Sequence, residues 1–340
     1  MDHETSILLL EVPQVLDEPQ VLDEPQFPSE DRDPEVDLLR LFGPTFTLTS
    51  EEAKVMESLE QRSPEWFSAR INRITASNFG SASGLNPYCS PDFLLIQLLY
   101  KSFEGNAATK WGTQMEPVAC AAYVQSIAKD PVYADGGPVP SWRDSGLSIA
   151  PQWPFLGASP DGIVTTHRTS STVAISHRCA PLPKYDLMRS RFDPGVGIIS
   201  EPVWSPPTTF PHNYLLEIKC PFRKKLYGPI PPYYYAQIQG CMQILDLPYS
   251  HFYVWTPSTA STVAYPRNDN FWNDFLLPRL TDFYFERYMP LTLLKAYGLL
   301  DTSDRFGPNT DWLLPKKDTD PLLVQRVHDA CKLFRSKYYK

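Results

Sequence analysis

Between residues 214 and 221 the chain reads Tyr-Leu-Leu-Glu-Ile-Lys-Cys-Pro, and this octapeptide narrows the choice of fold more than any other stretch. Its apolar residues favour an extended backbone. Side chains two apart on a strand share a face, so Glu217 and Lys219 project to one side while Leu216 and Ile218 enter the opposite layer. Setting a carboxylate and an ammonium on the flank of a hydrophobic strand costs desolvation unless something there uses the charges. Alone, such a pair is equally a solvated strand face or a structural ion pair. What the rest of the chain brings to the strand decides between these readings.

The elements around it are legible from capping and periodicity. Thr49 or Ser50 caps a helix to about Arg62, with Glu51 and Glu52 in its first turn. Ser63-Pro64 opens a second helix into Trp66–Arg70, and Ser90-Pro91 an apolar one to about Phe103. Trp111-Gly112 enters a helix to about Lys129, which places Pro117 in a first turn. From Phe155 the pattern becomes strand, turn, strand: Phe155–Ala158, Ser159-Pro160-Asp161-Gly162, then Ile163-Val164. Beyond the octapeptide come a helix over Tyr233–Leu245, an aromatic strand over Ser250–Thr256 and an aromatic helix over Asn270–Tyr288, interrupted near Pro278. A last helix covers Asp320–Tyr338. This order predicts an α/β domain with a mixed central sheet flanked by helices.

Composition divides the 340 residues unevenly. Residues 1–60 hold 16 acidic and 3 basic side chains, and the rest hold 23 and 28, so the mildly basic body is compatible with nucleic acid. Residues 1–50, acidic, rich in proline and carrying a tandem hexapeptide at 13–18 and 19–24, read as a disordered acidic tail or a short partner-docking segment. The expected organisation is that tail, a domain over 51–290 and a C-terminal helical extension over 291–340. Residues 166–212, rich in Ser, Thr, Pro and Arg and without a sustained period, read as a mobile insert. Six scattered cysteines without Cys-x-x-Cys spacing suggest reduced thiols in an intracellular protein, nuclear in a eukaryote, rather than a disulfide frame or zinc site. No run of about eighteen apolar residues indicates a membrane span, and no membrane partner is expected.

Asp161 in its turn, with Glu217 and Lys219, supplies two carboxylates and an ammonium. Two carboxylates converging from adjacent strands suit Mg²⁺, which takes hard oxygen ligands and keeps several waters. Such a cation polarises a phosphoryl oxygen and acidifies a bound water. Lys219 would hold that water or help deprotonate it, since a buried lysine can have a lowered pKa. Asp161 alone is also an ordinary turn residue.

Asp161 followed by Glu217-Ile218-Lys219 is similar to the PD-(D/E)xK nuclease signature. The flanking blocks resemble the YqaJ-type, lambda-exonuclease-like viral recombinase family. They are Trp66 with Arg70, Ile74–Ser77, Trp111-Gly112 with Glu116, Ser159–Gly162, Glu217–Pro221, and Tyr234 with Gln237 and Gln239. The resemblance covers roughly residues 60–260 and implies a restriction-endonuclease-like core. It implies metal ligation by Asp161, Glu217, the Ile218 carbonyl and Glu116, water positioning by Lys219, and orientation of water or phosphate by Gln237. Arg70, Ser77 and Ser159 would grip a terminal phosphate, a charge-assisted contact. Each has a plainer alternative: Glu116 as a first-turn acid, Gln237 and Gln239 as the polar side of a helix, Arg70 as a surface charge, Ser77 and Ser159 as caps or turn residues. Trp66 and Trp111 read as core, and Arg223-Lys224-Lys225 as either a DNA-backbone contact or a solvated loop.

The implied activity is a Mg²⁺-dependent exonuclease, with Mn²⁺ as a substitute, acting 5′-to-3′ on a duplex DNA end in recombination or repair. The implied partners are double-stranded DNA, two further copies of the chain in a trimer, and a single-strand annealing or recombination protein. An endonuclease or nickase with the same site, or a non-catalytic DNA-binding scaffold, is the alternative. One departure stands out, since 55 residues separate Asp161 from Glu217 where compact relatives have a short link.

Overall fold

Glycine decides how closely two of the helices that carry the site can approach. A Cβ on Gly80 would lie 2.4 Å from the Tyr233 side chain, and one on Gly240 would lie 2.3 Å from the Phe79 ring. Helices α4 (Ala76–Ala82) and α7 (Pro232–Ile244) therefore pack with almost no gap. Ser77 and Gln237 stand three residues before these two glycines, so the crossing fixes both side chains relative to each other.

The computed structural model describes residues 27, 32–100, 106–130, 136–167, 212–227, 230–300 and 313–339. The tandem hexapeptide and residues 168–211 of the expected insert lie outside the described residues. Strands β1 (Ile74–Thr75), β2 (Ser141–Arg143), β3 (Leu156–Gly157), β4 (Gly162–Thr166), β5 (His212–Lys219), β6 (Tyr249–Thr256) and β7 (Thr259–Pro266) form two sheets. The larger has the order β2-β4-β5-β6-β7, parallel only between β5 and β6, which is the expected mixed sheet.

β5 has the two faces that its sequence predicts. Tyr214, Leu216 and Ile218 pack with Ala119, Tyr123 and Ile127 of α6 (Ala107–Ala128), while Leu215 joins the larger core with Phe79 and Ile238. Thr166 pairs with His212 at the far end of the β4–β5 ladder. The two ends of the expected insert therefore meet, and the long separation in sequence leaves Asp161 and Glu217 close in space.

Several expectations are corrected. The acidic tail does not extend to residue 50: Pro34–Phe46 is helix α1, capped by Asp33, and Leu38 and Phe42 are fully buried. Leu38, Leu41, Phe42 and Phe46 form an apolar stripe at helical spacing beneath the acidic composition. The last helix, α10 (Pro321–Tyr338), places Val327, Ala330, Cys331 and Phe334 in the same core as α1, so residues 34–46 and 321–338 share one core. α2 (Ser50–Glu57) carries the predicted cap at Thr49, with the reciprocal Glu52 bond, but stops before Arg62.

Two prolines also behave differently from expectation. Pro117 lies in the middle of α6, which begins at Ala107, and so leaves the Thr113 carbonyl without its helical donor. Pro278 does not interrupt its helix. It follows the π-turn Phe271–Leu276 at the start of α8 (Leu277–Asp282), and Pro290 likewise follows the π-turn Phe283–Tyr288 at the start of α9 (Met289–Ala296). Wider π-bonding just before each ring relieves its clash with the preceding turn.

Candidate active site

Two strand pairings assemble the site from distant segments. β1 and β3 are parallel, with Ile74 beside Leu156 and Thr75 beside Gly157, so Ser77 and Ser159 each follow two residues beyond the last pair. β4 and β5 are antiparallel, with Gly162 opposite Leu216, and the next step of the same register sets Asp161 opposite Glu217. The turn carrying Ser159 and Asp161 is pinned by α3 (Pro64–Arg70) and the residues before it. Trp66 Nε1 donates to Ser159 Oγ at 3.0 Å, and Gln61 Nε2 donates to the carbonyls of Ser145 at 2.8 Å and Pro160 at 2.9 Å.

The result is an open cleft lined by Asp161, Glu217, Ile218, Lys219, Glu116 and Gln237 among others. Asp161 Oδ2 accepts the Ile218 N–H at 2.6 Å. Glu217 Oε1 accepts from Lys219 Nζ at 2.5 Å and from Gln237 Nε2 at 2.6 Å. Lys219 Nζ also stands 4.7 Å from the centre of the Tyr234 ring, on the same helix as Gln237. Glu217 Oε2 is buried and has no hydrogen-bond partner.

Charge in this cleft is out of balance. Burial, then the neighbouring carboxylates of Glu217 and Glu116, push Asp161 well above the ordinary carboxylate value despite Lys219 and the Ile218 N–H. Burial also raises Glu217, against the pull of Lys219 and Gln237. For Lys219, burial disfavours the charge, but Glu217 and Asp161 outweigh it and hold the ammonium above its usual value. Of the two roles expected of Lys219, holding the water or helping to deprotonate it, the raised pKa favours the first. Burial lifts the Cys220 thiol to about 12, so the cysteine in the cleft is not a thiolate nucleophile.

Among the described residues, no set of three or more His, Cys, Asp and Glu side chains is gathered closely enough to cage a metal. The donors present nonetheless fit a hard divalent cation. They are two carboxylates in register, one with an unpartnered buried oxygen, all-oxygen and short of positive charge. Glu116 lines the same cleft, but its Oε2 accepts from Arg62 Nη2 at 2.9 Å.

The phosphate-gripping set is only partly brought together. Ser77 and Ser159 line the cleft. Arg70 is buried and does not line it. Its guanidinium lies 4.1 Å from the Trp66 ring centre and donates to Thr75 Oγ1 at 3.0 Å, which in turn is 3.3 Å from Ser77 Oγ. Arg70 therefore acts on the cleft through Ser77. Gln239 lies outside it as well, bonding to Pro266 and Asn268 at the end of β7. Sequence reasoning missed Gln61, Arg62, Thr109, Gly112 and Thr113, all of which line the cleft. The last two lie inside the Trp111–Glu116 block, in which only Glu116 carries an expected role in the site. The first two precede the motifs and carried no signal.

Comparison with known proteins joins this geometry to a family. The YqaJ-like viral recombinase domain matches residues 65–248, more than half of the chain and the whole span of the cleft's strands. The chain belongs to this family. A protein of African swine fever virus, strain Badajoz, is 28% identical over 190 residues, covering 54% of this chain and 46% of the viral one. Its counterpart from the Tick/Malawi isolate is 27% identical over the same length and coverage. The YqaJ-like chain thus spans about half the length of the curated relatives it matches. An alkaline exonuclease of Laribacter hongkongensis, known by crystal structure, is 20% identical with a TM-score of 0.43, over 66% of this chain and 92% of the bacterial one. Among the described residues of this YqaJ-like chain, no helix is long and apolar enough to cross a membrane.

Proposed function

We propose that the chain is a divalent-metal-dependent deoxyribonuclease that hydrolyses phosphodiester bonds from a duplex DNA end, with Mg²⁺ as the metal and Mn²⁺ able to replace it. The observation that carries this reading is the buried, unpartnered Glu217 Oε2 set in register with Asp161. Asp161, Glu217, the Ile218 carbonyl and Glu116, once released from Arg62, would hold the cation. When bound, it supplies Lewis acidity to a phosphoryl oxygen and a more acidic water.

The chain's own residues do the rest. Lys219, a fixed ammonium, donates to the attacking water or to a non-bridging phosphate oxygen and stabilises charge there as it develops. Gln237, locked by the α4–α7 crossing, keeps Lys219 and Glu217 in place by sharing Glu217 Oε1. Water oxygen bonds to phosphorus, the bond from phosphorus to O3′ of the terminal nucleotide breaks, and the proton that the water loses passes to the departing O3′. Ser77 and Ser159 offer hydroxyls to the terminal phosphate, with Arg70 orienting Ser77 through Thr75 and Trp66 orienting Ser159.

Membership of a recombinase family supports a role in DNA recombination, and the end-directed 5′-to-3′ polarity is part of the proposal. The test is digestion of linear 5′-phosphorylated, linear 5′-hydroxyl and closed circular duplex DNA, with Mg²⁺ and with chelator. Metal-dependent loss of the linear forms, fastest with the phosphate, is the expected result. Opening of closed circles at a similar rate would replace it with an endonuclease.

A further inference from the structure

The catalytic strand runs directly into a cluster that the cleft chemistry leaves unused. Past Cys220, a turn closes with the Lys224 N–H donating to the Pro221 carbonyl at 2.9 Å. Lys224 itself adopts φ +56°, a left-handed conformation unusual for a lysine. That turn brings Phe222 and Lys224 to Trp111 on α6. The Phe222 and Trp111 ring centres are 6.4 Å apart at 76°, and Lys224 Nζ stands 5.2 Å from the Trp111 centre. Trp111 is half-buried against the core beneath β5, whereas Phe222 leaves 48% of its surface in solvent. Lys110 and Lys225 are exposed beside them. Gly112 and Cys220, neighbours of the two aromatic residues in sequence, line the cleft.

We propose that Phe222, held edge-to-face by Trp111, is a stacking platform for an unpaired nucleobase at the DNA end entering the cleft, with Lys224 on its phosphate. This rests on the nucleic-acid reading of the cleft given above. Core formation accounts for Trp111, whereas Phe222 keeps about half of its surface in solvent. An aromatic ring in solvent beside the Lys224 ammonium suits a ligand that is flat and apolar on its faces and anionic along its edge. Bases inside a duplex have both faces covered, so the site selects frayed or single-stranded ends.

Binding is measured by fluorescence anisotropy on the full chain in chelator, where hydrolysis is absent. The probes are duplexes ending in three unpaired thymidines or in three abasic nucleotides of equal charge. Wild type should prefer the thymidine end. Phe222→Ala, a substitution at an exposed position, should weaken binding to it on the order of tenfold, the effect of losing one base–aromatic stack. It should leave the abasic duplex unchanged. Lys224→Ala should weaken both and lower the salt slope by about one. Equal effects of Phe222→Ala on the two probes, or none on either, would overturn the stacking site while leaving the proposed nuclease intact. Failure of wild type to bind any of the DNAs would overturn both.

Discussion

Arg62 Nη2 donates to Glu116 Oε2 at 2.9 Å inside the cleft that holds Asp161 and Glu217, so a guanidinium satisfies the third carboxylate. Arg62 does so from a left-handed backbone, φ +69°, which for a residue other than glycine marks a locally constrained position. The pair is partly exposed, with side chains 36% and 30% accessible, and pairs of that kind are worth roughly 0.2–1 kcal/mol. Arg62→Ala should therefore free Glu116 and tighten divalent-cation binding by about 1.4-fold to fivefold, read by calorimetry without DNA. Unchanged or weaker binding would mean that Glu116 has no part in holding the cation.

The carboxylate pair predicts a stability gain from a damaging substitution. Because the native pKa of Asp161 lies above its ordinary value of 3.8, charging it costs the folded state. That cost is absent below about pH 3.8, grows as pH rises, and is complete above the raised native value. Asp161→Asn should thus melt higher than wild type at pH 7–8 in chelator, roughly 1–2 °C for each kcal/mol relieved in a chain of this length. The difference should close on acidification. Melting curves across pH check this, and a lower Tm for the variant at neutral pH would refute it.

Lys219 and Glu217 are both buried, so breaking the pair should cost more than removing it. Lys219→Met leaves Glu217 with Gln237 alone and should destabilise by about 3–5 kcal/mol. Adding Glu217→Gln should restore much of that loss. Urea denaturation of the two single variants and the double variant measures the coupling, and additive effects would contradict it.

A second pH effect has the opposite sign. Burial lowers His251 to about 3 from 6.5, and its Nδ1 lies 2.7 Å from the Tyr123 hydroxyl in the core beneath β5 and β6. Its contribution to stability is whole above pH 6.5 and is lost as pH falls from there towards 3. Loss at up to about 1.4 kcal/mol per pH unit is expected between pH 6 and 4. His251→Gln should flatten that part of the stability–pH curve, and an unchanged slope would show that the imidazole protonates in place.

Much of this was readable before any coordinates. Caps at Thr49 and Ser63, the two faces of β5 and the helix around Gln237 follow from local rules, and the register of β4 on β5 carries Asp161 to Glu217. Helix α1 was hidden because its acidic surface dominated the composition, although Leu38 and Phe42 stand at core spacing. Edge strand β7 was missed because Thr259-Ala-Ser-Thr is small, polar and half-exposed, so its order comes from eight pairings with β6 and not from propensity. Arg62, Trp66 and Gln61 act through contacts with residues 54 to 99 positions away, and no local pattern encodes such partners.

The central claim is that Asp161 and Glu217 hold a divalent cation that hydrolysis of DNA requires. It is tested most directly by the rate of nucleotide release from linear duplex DNA in Mg²⁺, wild type against Asp161→Asn. The variant should be slower by about a hundredfold or more, as loss of a positioned catalytic group gives. It should still bind the DNA in chelator, because phosphate contacts elsewhere supply that affinity. Cleavage by Asp161→Asn at near the wild-type rate would contradict the claim.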